Sequence, residues 1–439
     1  MKRTIRVLRY VMLVFMLLSL GIVSFAQRGV TVKFQSSAAD LPDEWVAKFN
    51  RENPDRITIV RTEHDYTKFI AEAMAGNASD LINLGQGSDV AYYAMRGLLL
   101  PITKYLQNSK VIKMSDIDML GNENYQFDVK TMTFGKGEWY GLTKDYNNVM
   151  AITYNKEMFR AAGIPFLSEK EPITYEELYT IVKKLTKRDA SGKAIVWGTD
   201  PAFWLYGASD MATGSGLSFY ADKEKTKMNN DPKMRDIWKY WARFAVEDLA
   251  PNIKNPAPGW AGSNFQADRV ALVQLGYWFG AQLRNVPRAN EKYGWAPAPI
   301  AFKGAPRVTN TLGATGVVFY AKTKVPDAAF KVFEWYMAGD YGKERARTGW
   351  GIPPLKSLAP LLPEGDQFDK SRKMIALDDA KYFKPWQSCP WITADVWSNA
   401  WVGPLEKYVK GQINADQFVD QFYDNMNKAI ASARAELGR

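Results

Sequence analysis

Short apolar runs alternate with segments of helical period along the first hundred residues. Residues 30–35 read as a β-strand, and residues 41–53 as a helix whose buried stripe is Trp45, Val46 and Phe49. The same alternation predicts a strand over 56–61, a helix over 66–74 and a strand over 80–84. Because such an order implies a parallel sheet with right-handed crossovers, we expect an α/β fold.

A second alternation of the same kind begins near residue 149. Strands are predicted over 149–154 and 194–198, and Thr174 and Glu177 form a capping box for a helix that ends at Leu185. Asp231 and Pro232 start another helix, since an Asp cap followed by proline is typical of a helix N-terminus. Two further helices are predicted over 391–409 and 415–434. The chain therefore holds a second α/β unit that ends in helices.

The first 26 residues have the layout of a secretory signal. Basic residues precede an apolar run over 11–25, and Ser24 and Ala26 place small side chains where a signal peptidase cleaves. The alternative is an uncleaved anchor, but about 15 apolar residues fall short of the roughly 20 that a spanning helix needs. Cys389 is the only cysteine, so none follows the cleavage site to carry a lipid. We expect cleavage after Ala26 and a soluble protein in the periplasm.

The charge gives little reason to expect a nucleic-acid partner. Removing the signal takes four of the 57 basic residues and none of the 47 acidic ones, so the net charge falls from +10 to +6. Acidic and basic residues are interspersed, which favours solubility. One histidine and one cysteine leave no basis for a histidine cluster, a zinc site or a cysteine nucleophile. We expect no metal and no cofactor.

Several short segments occur in the order typical of one large family. They lie at residues 43–53 with 80–102, 139–142 with 154–165, 265–278, 294–299, 328–335 and 349–353. Among them are Tyr-Ala-Met-Arg-Gly-Leu-Leu-Leu-Pro-Ile at 93–102, Phe-Gln-Ala-Asp-Arg-Val-Ala-Leu at 265–272 and Gly-Trp-Gly-Ile-Pro at 349–353. Each is degenerate alone, but in this order the chain resembles the bacterial extracellular solute-binding proteins of ABC importers, the group that includes maltose-binding protein.

The resemblance implies a two-lobed, type II periplasmic-binding-protein fold. Each lobe would be a mainly parallel sheet flanked by helices, with the ligand cleft between the lobes. The first lobe would hold residues 27–147 and 309–355, and the second 148–308 and 356–439. The family's function implies a monomer that is not an enzyme, captures a carbohydrate such as an oligosaccharide by hinge closure and delivers it to the membrane subunits of an ABC permease.

The 15 tryptophans favour a saccharide, because sugar rings present flat C–H faces that stack on aromatic planes. In the family's order of segments, Trp278 falls where a tryptophan stacks on the sugar, and it is the first candidate. The further aromatic candidates are Trp204, Tyr206, Trp350, Trp386, Trp391 and Trp397. Core packing is the alternative for any of them, and we expect it for Trp238, Trp241 and Trp335 on regular helix faces.

Polar candidates follow from the same order of segments and from the rule that ligands bind beyond the carboxyl ends of parallel strands. They are Gln86, Ser88 and Asp89 after one first-lobe strand, Asp145 and Asn147 near the first hinge crossing, Asp210 after the Trp204 loop, and His64 at a helix start. Asp and Asn also serve turns and caps, so each has a structural alternative.

Two other functions remain open at this point. An anionic solute or acidic sugar would need convergent Arg or Lys, and Arg269 and Arg284 flank Trp278. An exported glycosidase would act through two carboxylates brought together by folding. The sequence contains no nucleophile elbow and no HExxH motif.

Overall fold

A mainly parallel five-stranded sheet forms the first lobe of the computed structural model, which describes residues 29–63, 65–85, 87–313 and 315–439. In sheet order its strands are β2 (Ile57–Thr62), β1 (Val30–Gln35), β3 (Leu81–Leu84), β15 (Gly316–Phe319) and β7 (Gly141–Thr143). β1 pairs in parallel with β2 and β3, whereas β15 runs antiparallel to β3 and β7. The parallel order predicted for the start of the chain is therefore confirmed.

Helices cover both faces of this sheet. The first-lobe helices are α1 (Asp43–Glu52), α2 (Tyr66–Ala75), α3 (Asp89–Met95), α4 (Thr103–Asn108), α5 (Met119–Asn122), α13 (Pro326–Ala338) and α14 (Asp340–Thr348). Val317 and Val318 belong to different hydrophobic clusters because successive side chains of a strand point to opposite faces. A small antiparallel sheet joins β4 (Gln126–Asp128) to β5 (Thr133–Phe134) and β6 (Glu138–Trp139).

The second lobe contains a mixed sheet of similar size. In sheet order its strands are β10 (Lys187–Arg188), β11 (Ala194–Thr199), β12 (Val270–Gln274), β9 (Ile152–Asn155) and β13 (Tyr293–Ala296). β11 and β12 are parallel, while β9 is antiparallel to β12 and β13. The carboxyl ends of β11 and β12 therefore lie at one edge of this sheet.

Helices also cover both faces of the second sheet. They are α6 (Lys156–Ala161), α7 (Tyr175–Leu185), α8 (Trp204–Gly214), α9 (Pro232–Val246), α10 (Ala261–Gln266), α11 (Phe279–Leu283), α12 (Ala289–Lys292), α15 (Gln367–Asp379), α16 (Ala394–Val409) and α17 (Ala415–Glu436). The predicted capping box of α7 is present, since the Glu177 N–H donates to Thr174 Oγ1 and the Thr174 N–H donates to Glu177. Asp231 caps α9 as predicted.

A three-stranded sheet joins the lobes. β14 (Thr309–Gly313) pairs antiparallel with β8 (Tyr146–Asn148) and parallel with β16 (Phe383–Lys384). The buried Asp379 carboxylate accepts hydrogen bonds from Asn148 Nδ2 at 2.6 Å and from Arg307 Nη2 at 2.8 Å. One carboxylate thus ties β8 to the segment that leads into β14, at the place where the lobes can rotate.

A later crossing lies a few residues beyond the boundary expected at residue 355. The 3-10 turn Lys356–Leu361 packs against the first-lobe core through Leu358 and Leu361, and Ser357 donates to Asp116. The chain then enters the second lobe at α15, whose Phe368 belongs to a second-lobe cluster.

The predicted signal over residues 1–26 lies outside the described residues. Within the part of the chain that the structure describes, no helix combines the length and apolar character needed to cross a bilayer.

Candidate ligand-binding cleft

The carboxyl ends of the parallel strands of both lobes border one cleft. In the second lobe, Thr199 ends β11 and Gln274 ends β12, and the loop after β12 reaches the hinge, where the Tyr277 N–H donates to Asn148 Oδ1 at 3.2 Å. In the first lobe, Leu84 ends β3 and Thr143 ends β7. Loops at these ends are where open α/β sheets bind ligands, so the cleft between them is the candidate site.

Three indoles lie nearly parallel at this cleft. Trp278 stacks on Trp260 with ring centroids 5.9 Å apart and planes 14° apart, and on Trp350 with centroids 6.4 Å apart and planes 12° apart. Trp260 and Trp278 belong to the second lobe, while Trp350 follows α14 of the first. Trp350 is 38% exposed and Trp260 46% exposed, so the array presents aromatic surface to solvent.

A tight backbone turn sets the position of Trp278. Gly276 has a φ of +72°, in the left-handed region that favours glycine, and a Cβ added there would lie 1.9 Å from Asn147 Oδ1. The hinge strand and the Trp278 loop therefore approach each other more closely than any other residue would allow.

Replacing Gly276 by alanine is expected to lower the free energy of unfolding by about 3 kcal/mol, because a left-handed alanine and an overpacked contact both cost energy. Chemical denaturation measures this change. Gly76→Ala is the matched control, since Gly76 has a φ of +81° with no heavy atom within 4 Å of an added Cβ, and it should cost only about 1 kcal/mol. Equal costs for the two variants would show that the contact with Asn147 does not matter.

One buried guanidinium connects the loops of Trp278 and Trp350. Arg372 Nη1 donates to the carbonyl oxygens of Tyr277 and Gly349, both at 3.1 Å, and Arg372 Nε donates to Asp369 Oδ1 at 2.8 Å. Arg284 pairs with the same carboxylate and donates to the Thr348 carbonyl oxygen. Since the two loops come from different lobes, this network links the loops that carry the aromatic planes on either side of the cleft.

Asp200 is a polar group at this edge that sequence analysis missed. It directly follows β11, is half-buried, and is hydrogen-bonded to Asn264 of α10, the helix that begins beside Trp260. Burial raises the pKa of Asp200 to about 6. The signal that could have revealed Asp200 is its position two residues after the predicted strand 194–198. Trp260 was missed because it follows a short Pro-rich break.

Two of the predicted polar candidates lie near the hinge. Asp145 is buried and pairs with Lys144 Nζ at 3.1 Å, and that amine also pairs with Asp40 at 2.8 Å. Burial raises the pKa of Asp145, while the neighbouring Lys144 opposes the rise. Asn147 is buried beside Gly276, and its side-chain oxygen accepts no hydrogen bond among the described residues.

Asp210 lies inside the second lobe rather than at the cleft surface. It is 2% exposed, Asn310 Nδ2 donates to it, and burial raises its pKa well above the usual range. Asp210 therefore anchors the hinge strand β14 to α8. The prediction that it contacts ligand conflicts with this burial.

Most of the predicted aromatic candidates form the core of the second lobe. Trp386, Trp391 and Trp397 are 4%, 1% and 1% exposed, because α16 and α17 pack on α9 and enclose them. Tyr206 is buried edge-to-face against Trp386. Trp204 is half-buried and stacks on Trp401 with centroids 4.0 Å apart. We therefore remove these five from the candidate site.

The remaining predicted residues lie at the first-lobe rim or outside the described residues. Ser88 is buried and Asp89 is half-buried at the first-lobe rim, where Asp89 contacts the second lobe. Gln86 and His64 lie outside the described residues. Trp278 and Trp350 are the predicted residues that the structure brings together across the cleft.

Two α/β lobes joined by a strand hinge, with aromatic planes from both lobes at the cleft, define a two-lobed binding protein. Residues 44–375 match the family described as bacterial extracellular solute-binding protein, and the chain belongs to that family. The resemblance and the fold class expected from the sequence are thereby confirmed.

Known proteins agree with this membership. An uncharacterized ABC transporter extracellular-binding protein of Pyrococcus horikoshii is 24% identical over 234 residues, which are 52% of this chain and 48% of that protein. The chain thus spans about half the length of the curated relative it matches.

Two solved structures share the fold over nearly the whole chain. An ABC substrate-binding protein of Listeria monocytogenes in complex with cycloalternan is 20% identical with a TM-score of 0.74, covering 92% of this chain and 99% of the other. The sugar-binding protein MalE of Xanthomonas citri is 17% identical with a TM-score of 0.69, covering 93% and 100%.

Proposed function

We propose that this solute-binding protein captures a neutral carbohydrate between its lobes and delivers it to the membrane permease of an ABC importer. The observation that carries the proposal is the array of parallel, partly exposed indoles Trp260, Trp278 and Trp350. Flat aromatic planes match the C–H faces of sugar rings. Of the two proteins that share the fold, one is in complex with cycloalternan and the other is a sugar-binding protein.

The spacing of the indoles suits binding coupled to lobe movement. Optimal carbon–carbon contacts are about 3.5–4.0 Å, so a ring held between two planes separates them by roughly 7–8 Å. The centroids of Trp278 and Trp350 are 6.4 Å apart. A sugar ring between them therefore requires the lobes to move apart by about an ångström, which the hinge sheet permits.

A polar group close to these planes can serve the hydroxyls of a sugar. Asp200 offers a half-buried carboxyl near Trp260, on the residue that directly follows β11. This group would give orientation, whereas the indoles would give contact area.

The alternative of an anionic ligand has little support. Arg284 and Arg372 share the single carboxylate of Asp369, which leaves a net charge of +1 there, and Arg372 is fully buried. Lys144 pairs with Asp40 and Asp145. Arg269 is exposed and precedes β12, so it lies at the amino end of that strand, opposite the cleft edge. Because both guanidiniums are also bound to backbone carbonyl oxygens and Arg269 lies elsewhere, the cleft supports a neutral sugar better than an acidic one.

A thermal-shift panel tests the proposal on the mature protein. A ligand that binds only the folded state adds about 2.7 kcal/mol at a hundred times its dissociation constant, so a cognate saccharide should raise the melting temperature by several degrees. The panel contains neutral mono- and oligosaccharides, uronic acids and phosphorylated polyols. Stabilisation by the anionic members alone, or by no saccharide, would contradict the proposal.

A further inference from the structure

The lobes also touch each other directly, through residues other than the tryptophans. Asp89 Oδ1 accepts a hydrogen bond from the Ala394 N–H at 2.9 Å, and Arg96 forms an ion pair with Glu436 at 3.0 Å. Met95 and Met132 each pack against a hydrophobic cluster of both lobes. The closure contact consists of Asp89, Met95, Arg96 and Met132 of the first lobe with Ala394, Glu436 and Arg439 of the second.

Asp89 occupies an unusual place in this contact because it caps a helix of the other lobe. Helix α16 begins at Ala394, and its own N-cap residue, Thr393, makes no side-chain cap hydrogen bond. The first N–H groups of a helix need acceptors, and a carboxylate there also interacts favourably with the helix dipole. The first lobe supplies this acceptor, and it can do so only when the lobes are together.

We propose that Asp89 is a positioning residue that couples cleft closure to proton uptake, setting ligand affinity through the closed state without contacting the sugar. The proposal rests on the proposed function, because closure matters for affinity only if ligand is held between the lobes. Closure brings the Asp89 carboxyl out of water and against α16, and opening returns it to solvent.

The charges around Asp89 decide the direction of the coupling. Asp395, in the first turn of α16, faces the carboxyl as a like charge, and the Ser88 hydroxyl lies beside it on its own element. The turn and strand that also pack on α3 carry Glu123 and Asp128, which belong to the first lobe and move with Asp89. Closure therefore adds burial and the charge of Asp395, against one hydrogen bond from Ala394.

The balance of these effects favours protonation in the closed protein. Burial raises the pKa of Asp89 to about 7 from its ordinary 3.8, although the Ala394 N–H opposes the rise. A group whose pKa is raised on closing stabilises the closed form at low pH and loses that stabilisation as the pH rises through about 7. Between pH 8.0 and pH 5.5, the closing equilibrium should shift toward the closed form by up to about 30-fold.

Small-angle X-ray scattering of the mature protein without sugar tests this coupling. The wild-type radius of gyration should be smaller at pH 5.5 than at pH 8.0. Asp89→Asn keeps an acceptor for Ala394 but removes the charge, so this variant should be compact at both pH values. Asp55→Asn is the matched control, because Asp55 is an exposed first-lobe carboxylate paired with Lys331 within that lobe, and it should behave as the wild type.

Identical radii for the wild type and Asp89→Asn at both pH values would overturn the coupling, provided circular dichroism shows both folded. Titration with a saccharide from the thermal-shift panel gives a second readout, in which wild-type affinity should rise toward pH 5.5 and that of Asp89→Asn should not. The two proposals fail separately. pH-dependent compaction without saccharide binding contradicts only the carbohydrate assignment, and saccharide binding with pH-independent compaction contradicts only the role of Asp89.

Discussion

Replacing Trp278 by alanine is expected to weaken saccharide binding by about 30-fold or more, corresponding to at least 2 kcal/mol for a central aromatic contact. Trp278 is the member common to both stacked pairs, so its removal takes away the plane that Trp260 and Trp350 share. Its side chain is only partly buried, and the free energy of unfolding should fall by about 1 kcal/mol. Calorimetric titration and chemical denaturation of the same preparation measure both quantities.

Phe302→Ala provides the matched control for this variant. Phe302 is an aromatic residue of the second lobe, 52% exposed and outside the indole array. Its removal should leave saccharide affinity unchanged. Undiminished affinity in Trp278→Ala would refute the assignment of the array as the sugar site, and an equal loss in both variants would indicate a general effect of aromatic removal.

Replacing Trp397 by alanine should have the opposite profile. Trp397 is 1% exposed and packs against Phe219, Trp238 and Phe422. Truncating a buried tryptophan leaves a cavity and typically costs about 3–5 kcal/mol. The free energy of unfolding of the second lobe should fall by that amount, while the folded variant keeps its saccharide affinity within a few-fold.

Chemical denaturation followed by fluorescence measures the free energy of unfolding of Trp397→Ala. A calorimetric titration below its melting temperature measures its saccharide affinity. Loss of saccharide binding from a Trp397→Ala protein with native circular dichroism would restore the ligand-binding role expected from the sequence. A small stability loss would mean that the second-lobe core repacks around the missing indole.

Local patterns predicted the secondary structure well where neighbouring residues decide it. The strand over 30–35 is found with those bounds, and the capping box of Thr174 and Glu177 starts α7 as expected. A capping box lies within four residues, and the period of a helix or strand lies within a dozen. Such features depend on residues that are close together in the chain, so the order of strands and helices could be predicted from the sequence.

The candidate site was only partly predictable. Trp278 and Trp350 stack on each other, and their role as ligand residues stays a prediction, whereas Trp386, Trp391 and Trp397 were expected with them and lie in the core. Trp386 and Trp391 lie in segments without regular structure, where no periodicity marks a buried face. Trp397 lies on a stripe of α16 with Ala400, Trp401 and Pro404, a helical spacing that could have indicated its burial. The burial of all three core tryptophans depends on α9, α16 and α17, which are far apart in the chain.

The sequence by itself determined the family, the α/β class and the order of elements, because these follow from local patterns and from short motifs in a characteristic order. Only the tertiary structure decided that Trp260 and Trp350 stack on Trp278, that Asp200 bonds to Asn264, and that Asp89 caps a helix of the other lobe. Each of these depends on contacts between distant segments, and the composition of a segment does not specify which distant segment will cover it.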